Sequence, residues 1–82
     1  MSNKRREAAL TPDEVLAAII AHRELIGMTQ RQAAANYGCK PVYWNMIERG
    51  GRAASLDVLV KMAEAVGLRV ELRVVSQDRI GR

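Results

Sequence analysis

The stretch from Met28 to Gly50 limits what this chain can fold into more than any other, because its capping and turn residues divide it into two short helices. Thr29 and Gln32 form a capping box, in which each side chain bonds a backbone N–H group that the first helical turn leaves unpaired. Gly38 tolerates the left-handed conformation that commonly ends a helix. Pro41 has the fixed φ and the missing N–H that suit a first helical position, so a second helix is predicted to start there.

The second of these helices is predicted to be amphipathic. Trp44 and Ile47 share one face, which should contact the core. The opposite face combines an amide and a cation with apolar groups, and this combination can contact base edges in the major groove of DNA. An amphipathic helix alone would not imply that function. The residues of the outward face are Val42, Asn45, Met46 and Arg49.

The stretch resembles the helix-turn-helix of the Cro and phage-repressor family, also called XRE-like. The residues that follow the family's pattern are Gly27, Met28, Thr29, Gln30, Ala34, Gly38, Ile47, Glu48, Arg49 and Gly50. The resemblance covers roughly Val15 to Leu68 and implies a lambda-repressor-like, all-α domain of about four helices over residues 11–67. It also implies DNA contacts from Gln30, Arg31, Lys40, Pro41, Val42, Tyr43, Asn45, Met46, Arg49 and Arg52.

Three positions depart from the family's pattern. Lys40 stands where Ser or Thr usually caps the second helix, and losing that cap costs about 1 kcal/mol. Lys40 is instead available for a phosphate or guanine contact. Trp44 replaces a β-branched residue and Ala33 replaces a leucine, so the indole is predicted to fill the space that the leucine gave up. The alternative is that Trp44 stacks on bases. Tyr43 is expected to reach a phosphate with its hydroxyl. Arg52 either contacts the DNA backbone or is solvated.

A further helix is predicted before this pair, beginning at Pro12 and ending near Ile26, with a capping signature from Thr11 to Glu14. Its apolar stripe is predicted to be Val15, Ile19, His22 and Ile26. We expect His22 to be a packed structural residue rather than a ligand. Three more apolar residues either complete the core or contact a partner, namely Leu16, Ile20 and Leu25.

A last helix is predicted from Leu56 to Val66, with Ser55 as its cap and Gly67 as its end. Its apolar positions recur with helical spacing, so they should form the remaining core face. The residues of that face are Leu56, Leu59, Val60, Met62, Ala63 and Val66.

Beyond this helix the pattern changes from helical to alternating. Apolar and charged side chains alternate over residues 68–74, which is typical of a strand with one buried face. An isolated strand leaves its backbone donors unpaired, so residues 68–76 are predicted to pair with the same segment of a second copy. This order of elements is similar to the HipB-like antitoxin regulators, in which C-terminal strands form a sheet across the dimer. The predicted dimer contacts are Leu68, Val70, Leu72 and Val74.

The composition favours a protein that binds a polyanion and argues against a metal protein or an enzyme. The 82 residues carry 13 Lys+Arg against 9 Asp+Glu, a net charge of +4 that suits a polyanionic partner. One cysteine and one histidine exclude an internal disulfide and a tetrahedral Cys/His zinc site. No set of residues could share acid, base and nucleophile roles. We therefore expect no enzyme activity, no metal, no cofactor and no small-molecule substrate.

The two ends are polar. Residues 1–10 are predicted to form a flexible basic arm, which is either solvated or lies along DNA, and residues 77–82 a flexible tail. No stretch approaches the roughly 20 apolar residues that cross a bilayer. The expected location is cytoplasmic and nucleoid-associated, without membrane contact.

These features lead to one main hypothesis, a homodimeric, sequence-specific repressor that binds a palindromic double-stranded DNA operator. Within it, the resemblance favours an autorepressing antitoxin with a cognate toxin as a further partner. One alternative is a phage-type or controller-type regulator without a toxin. Another is an interaction module that neutralises a partner without binding DNA, and salt-sensitive retention on duplex DNA would separate it from the others.

Overall fold

The computed structural model describes residues 11–76, which form an all-α domain of four helices. The predicted basic arm and the predicted tail lie outside this range. The four helices agree with the number predicted from the sequence. They are α1 (Pro12–Leu25), α2 (Gln30–Tyr37), α3 (Pro41–Glu48) and α4 (Leu56–Ala65).

The helices begin where the sequence predicts, because short-range hydrogen bonds satisfy their first N–H groups. At α1, Thr11 Oγ1 accepts from the Glu14 backbone at 3.2 Å and the Glu14 carboxylate accepts from the Thr11 backbone at 2.8 Å. At α2, Thr29 and Gln32 form the same pair of bonds at 3.0 and 2.9 Å. Ser55 caps α4 with its hydroxyl. All three predicted caps are confirmed.

The turn between α2 and α3 also follows the prediction. Gly38 has a φ of 95°, a left-handed conformation that an L side chain rarely adopts, and its N–H donates to Ala34 O at 2.8 Å. Lys40 precedes α3 without any side-chain capping bond. The turn therefore sets the angle between the two helices, and Lys40 remains exposed beside the start of α3.

The core lies where α2 meets α3 and α4 and where α1 meets α4. Trp44 is 1% exposed and Ala33 is fully buried, so the predicted burial of the indole is confirmed. Small residues on α2 leave room for the large ring on α3. The buried apolar residues are Ile19, Ala33, Ala34, Trp44, Ile47, Leu59, Met62, Ala63, Ala65 and Val66.

Two predicted core positions, Ile26 and Leu56, are wrong. The buried residues of α1 are Ile19 and, one turn later, Arg23, which is 8% exposed. Val15 and Leu16 pack against the core as partly buried residues. Ile26 lies past the end of the helix and is 47% exposed, whereas Leu25 is 82% exposed and does not complete the core. Leu56 is 49% exposed because it is the first residue of α4, ahead of the buried turns.

The segment after α4 has no regular secondary structure, and residues 11–76 contain no β-strand. Leu68 and Val70 pack against the core as partly buried residues. Farther along, Leu72 is 66% exposed and Val74 is 99% exposed. Residues 11–76 offer no strand to pair with this segment, and the pairing of residues 68–76 across a dimer stays a prediction.

Candidate nucleic-acid interface

The outer face of α3 is an accessible surface of mixed chemistry. Val42 is 64% exposed and Met46 is 39% exposed, while Asn45 is half-buried between them. With Arg49 and Gly51 they line an open groove of about 260 Å³. The structure therefore brings together the four residues that the helical pattern placed on this face. Their contacts with DNA remain predictions.

Beneath this face lies a buried cluster that we call the Glu48 network, formed by Arg23, Gln30, Trp44 and Glu48. The Glu48 side chain, 7% exposed, is reached by donors from three helices. Arg23 Nε donates to Oε2 at 2.7 Å and Arg23 Nη2 donates to Oε1 at 3.0 Å. Trp44 Nε1 donates to Oε2 at 2.6 Å, and Gln30 Nε2 donates to Oε1 at 2.7 Å. Each carboxylate oxygen thus accepts two hydrogen bonds.

The Arg23 guanidinium has further partners besides Glu48. Its Nη1 donates to Met28 O at 2.8 Å, and its guanidinium also lies 3.8 Å from the exposed carboxylate of Glu24. Among residues 11–76, every buried side-chain nitrogen or oxygen has a hydrogen-bond partner. The ion pair is therefore a fully bonded link between α1, the loop before α2, and α3.

The charge state of Glu48 follows from these contacts. Burial by itself raises the pKa of the carboxyl, but the hydrogen bonds from Arg23, Gln30 and Trp44, with the charge of Arg23, outweigh it. The net result is a pKa below the ordinary value of 4.5. Glu48 is therefore an anion at neutral pH.

Gln30 connects the Glu48 network to the outer face of α3. The same Nε2 that donates to Glu48 also donates to Asn45 Oδ1 at 3.1 Å. Asn45 is thus held from the side by α2 rather than left free on α3. Gln30 and Asn45, both predicted DNA contacts, form one hydrogen-bonded unit.

A second group of predicted contacts meets at the edge formed by the end of α2 and the loop after α3. The Arg52 guanidinium lies 5.6 Å from the centre of the Tyr43 ring, and Tyr43 packs against Tyr37 at 6.2 Å. Lys61 Nζ, from α4, lies 4.7 Å from the centre of the Tyr37 ring. Two exposed cations are thus placed by aromatic rings at one edge, a favourable arrangement for phosphate contacts.

The remaining predicted contacts are exposed but not joined to either group. Arg31 lies at the start of α2, and Lys40 and Pro41 lie at the start of α3. Reasoning from the sequence missed Arg23 and Lys61 entirely. Glu48 was noted only as part of the family's pattern, although it stands four residues after Trp44, a spacing that puts the two side chains next to each other on one face of a helix.

Residues 11–76 contain neither a metal-binding cluster nor a membrane-spanning helix. No group of three or more His, Cys, Asp or Glu residues there could hold a metal ion. Among those same residues, no helix is long and apolar enough to span a membrane.

A family model described as helix-turn-helix matches residues 19–72. The match includes α2, the turn and α3, the whole of α4, and the part of α1 that contributes Arg23. Comparison with curated proteins and with solved structures found no match. Because the match covers well over half of the chain, the protein belongs to the XRE-type helix-turn-helix family of regulators that bind double-stranded DNA to control transcription.

Proposed function

We propose that this protein is a homodimeric transcriptional repressor that recognises a palindromic operator through the outer face of α3. The observation that carries the proposal is the Gln30–Asn45 unit, an amide held in place on an exposed helix face beside apolar groups. Such an amide can bond a base edge in the major groove, and an apolar neighbour can contact a thymine methyl. The protein would act by binding alone, without catalysis.

Phosphate contacts would supply most of the affinity. Exposed cations flank α3 at Lys40, before the helix, and at Arg52, after it. Arg31 and Lys61 are further exposed cations of the domain. The whole chain has a net charge of +4. Each cation that neutralises a phosphate releases counterions, so the binding should weaken strongly with added salt.

The dimer would form through the C-terminal segment. Leu72 and Val74 are exposed in the single chain, although their apolar side chains gain from burial. A second copy offers the same apolar side chains together with free backbone groups. Such a helix-turn-helix core with a pairing segment supports an autorepressing antitoxin with a cognate toxin as the more specific form of the proposal.

The proposal predicts different effects for two substitutions on the DNA-facing side. Asn45→Ala should weaken binding to an operator selected from random duplexes by about 1–3 kcal/mol, with much less effect on random duplex. Lys40→Ala should weaken both alike and lower the salt slope by about one, because a phosphate contact carries no sequence information. Fluorescence anisotropy titrations at several salt concentrations measure both effects. Equal losses on both DNAs from Asn45→Ala would show that specificity lies elsewhere.

The dimer is tested best at Val74, which is 99% exposed and so makes no contribution to the core of the single chain. Val74→Asp should give folded monomers that bind the operator with the affinity of one half-site. The reason is that the substitution places a charge among the apolar side chains predicted to form the dimer contact. Arg73→Ala, on the alternate face, is the matched control and should leave the dimer intact. Sedimentation velocity and melting temperature separate dissociation from unfolding. A Val74→Asp protein that stays dimeric would place the interface on another surface.

The same symmetry makes a prediction about the operator. Two copies of α3 related by a two-fold axis require half-sites on the same side of the duplex, about 34 Å apart. Operators selected by the dimer should therefore be pseudo-palindromic with half-sites one helical turn apart. Selection of single, asymmetric sites would contradict the homodimer.

A further inference from the structure

In the Glu48 network, all the hydrogen bonds to Glu48 run from N–H donors to the carboxylate. Each oxygen of the Glu48 carboxylate accepts two hydrogen bonds, so all of its usual acceptor positions are occupied. An ionised carboxylate only accepts hydrogen bonds. Any group that contacts it at this distance must therefore present an N–H or O–H.

This requirement determines how the Gln30 amide is oriented. Its Nε2 lies 2.7 Å from Glu48 Oε1, and the reverse orientation would set an amide oxygen against a carboxylate oxygen. The other N–H of Gln30 is left for Asn45 Oδ1, at 3.1 Å. Reversing Asn45 would bring two NH₂ groups together. The charge on Glu48 thus decides which end of each amide is the donor.

We propose that Glu48 and Gln30 are positioning residues for base recognition, which fix the Asn45 amide in the orientation that selects adenine over guanine at one base pair. This role rests on the proposed function. In the fixed orientation Asn45 offers Nδ2 as a donor and the second lone pair of Oδ1 as an acceptor. That pair matches N7 and the N6 amino group of adenine.

Guanine differs from adenine at the position that the Asn45 oxygen would meet. It carries the acceptor O6 where adenine carries its amino group, so a fixed Asn45 oxygen disfavours it. An amide free to turn over could instead donate to O6. Discrimination at this base pair therefore depends on a carboxylate that does not touch the DNA.

Titration of a selected operator and its single base-pair variants tests the proposal. The base pair at which the Asn45→Ala protein no longer prefers one base over the others is the pair that Asn45 contacts. Gln30→Met, similar in length but without N–H groups, should reduce the adenine preference at that pair by about fivefold or more. Glu24→Gln, which alters the exposed carboxylate beside Arg23, is the matched control and should leave the preference unchanged.

A measurement on the free protein tests the same connection without DNA. In ¹⁵N-labelled protein, Glu48→Gln should shift the side-chain amide signals of Asn45, which the network joins to Glu48 through Gln30. In a Gln30→Met background that additional shift should disappear. The backbone signals of α4 report whether each variant remains folded.

The outcomes are distinguishable. An unchanged adenine preference in Gln30→Met, with Asn45→Ala still losing it, would overturn the positioning role and leave the proposed function standing. A Gln30→Met loss spread equally over all base pairs would overturn it as well, since that pattern indicates a structural effect. An Asn45→Ala protein that loses no base preference would overturn the positioning role and place specificity on another residue of α3. A wild-type protein without any sequence preference would overturn both the positioning role and the proposed function.

Discussion

Replacing Trp44 with alanine is expected to lower the free energy of unfolding by about 3–5 kcal/mol, because the ring is 1% exposed and its removal leaves a cavity among α2, α3 and α4. A small domain is expected near the low end of the usual range of about 5–15 kcal/mol, so this loss would remove much of its stability. The substitution also removes the indole N–H that donates to Glu48 at 2.6 Å. Urea unfolding followed by circular dichroism measures the change.

Two variants separate the effect of the cavity from the effect of the lost hydrogen bond to Glu48. Trp44→Phe keeps most of the apolar volume but leaves Glu48 one donor short, so we expect a smaller loss of about 1–3 kcal/mol. Val42→Ala, on the exposed face of the same helix, should change stability by less than about 0.5 kcal/mol. Strong iodide quenching of Trp44 fluorescence in the folded protein would contradict the burial of the ring.

The second large effect is expected from Glu48→Gln, which keeps the side-chain shape but leaves Arg23 buried beside a neutral group. Removing one partner of a buried ion pair costs about 3–5 kcal/mol, mostly because the other charge stays desolvated. Arg23 also contacts Glu24 at 3.8 Å, but that carboxylate is 66% exposed and cannot replace Glu48. Glu24→Gln is the matched control, with an expected change of at most about 1 kcal/mol.

The pH dependence of stability should identify the charge as the cause. The pKa of Glu48 is lowered in the folded protein, so its contribution is fully present above the ordinary value of 4.5 and is lost as the pH falls through the folded pKa. The stability difference between the wild type and Glu48→Gln should therefore stay constant above about pH 5 and shrink at lower pH. A difference that does not change down to about pH 3 would argue that shape, not charge, is what Glu48 contributes.

The proposed positioning role connects stability with recognition, because one carboxylate would serve both. Glu48 neutralises Arg23 inside the domain and orients Gln30 at its surface. Variants of Gln30 should alter base preference and, because they leave Glu48 one donor short, also cost about 1–3 kcal/mol of stability. Variants of Arg23 should mainly reduce stability, and by more. Measuring both properties in each variant therefore distinguishes the two roles.

Much of the helical framework could be predicted from the sequence because it depends on short-range contacts. The Thr11 and Thr29 caps each join residues three positions apart, and Gly38 ends α2 through its own backbone conformation. The outward face of α3 follows from helical periodicity alone. The burial of Trp44 could also be anticipated, because the alanines of α2 leave space that only a large side chain fills.

Other features depended on which elements meet in three dimensions. Arg23 and Glu48 are 25 residues apart, and no local pattern indicates that an arginine on α1 is buried against α3. Periodicity pointed instead to Ile26, which lies past the end of its helix and faces solvent. The orientation of Asn45 likewise follows from Gln30, on a different helix. The sequence alone determined where the helices begin, because caps and turns are local. The tertiary structure decided which charges are buried together and how the Asn45 amide is oriented, because those features depend on contacts between distant segments.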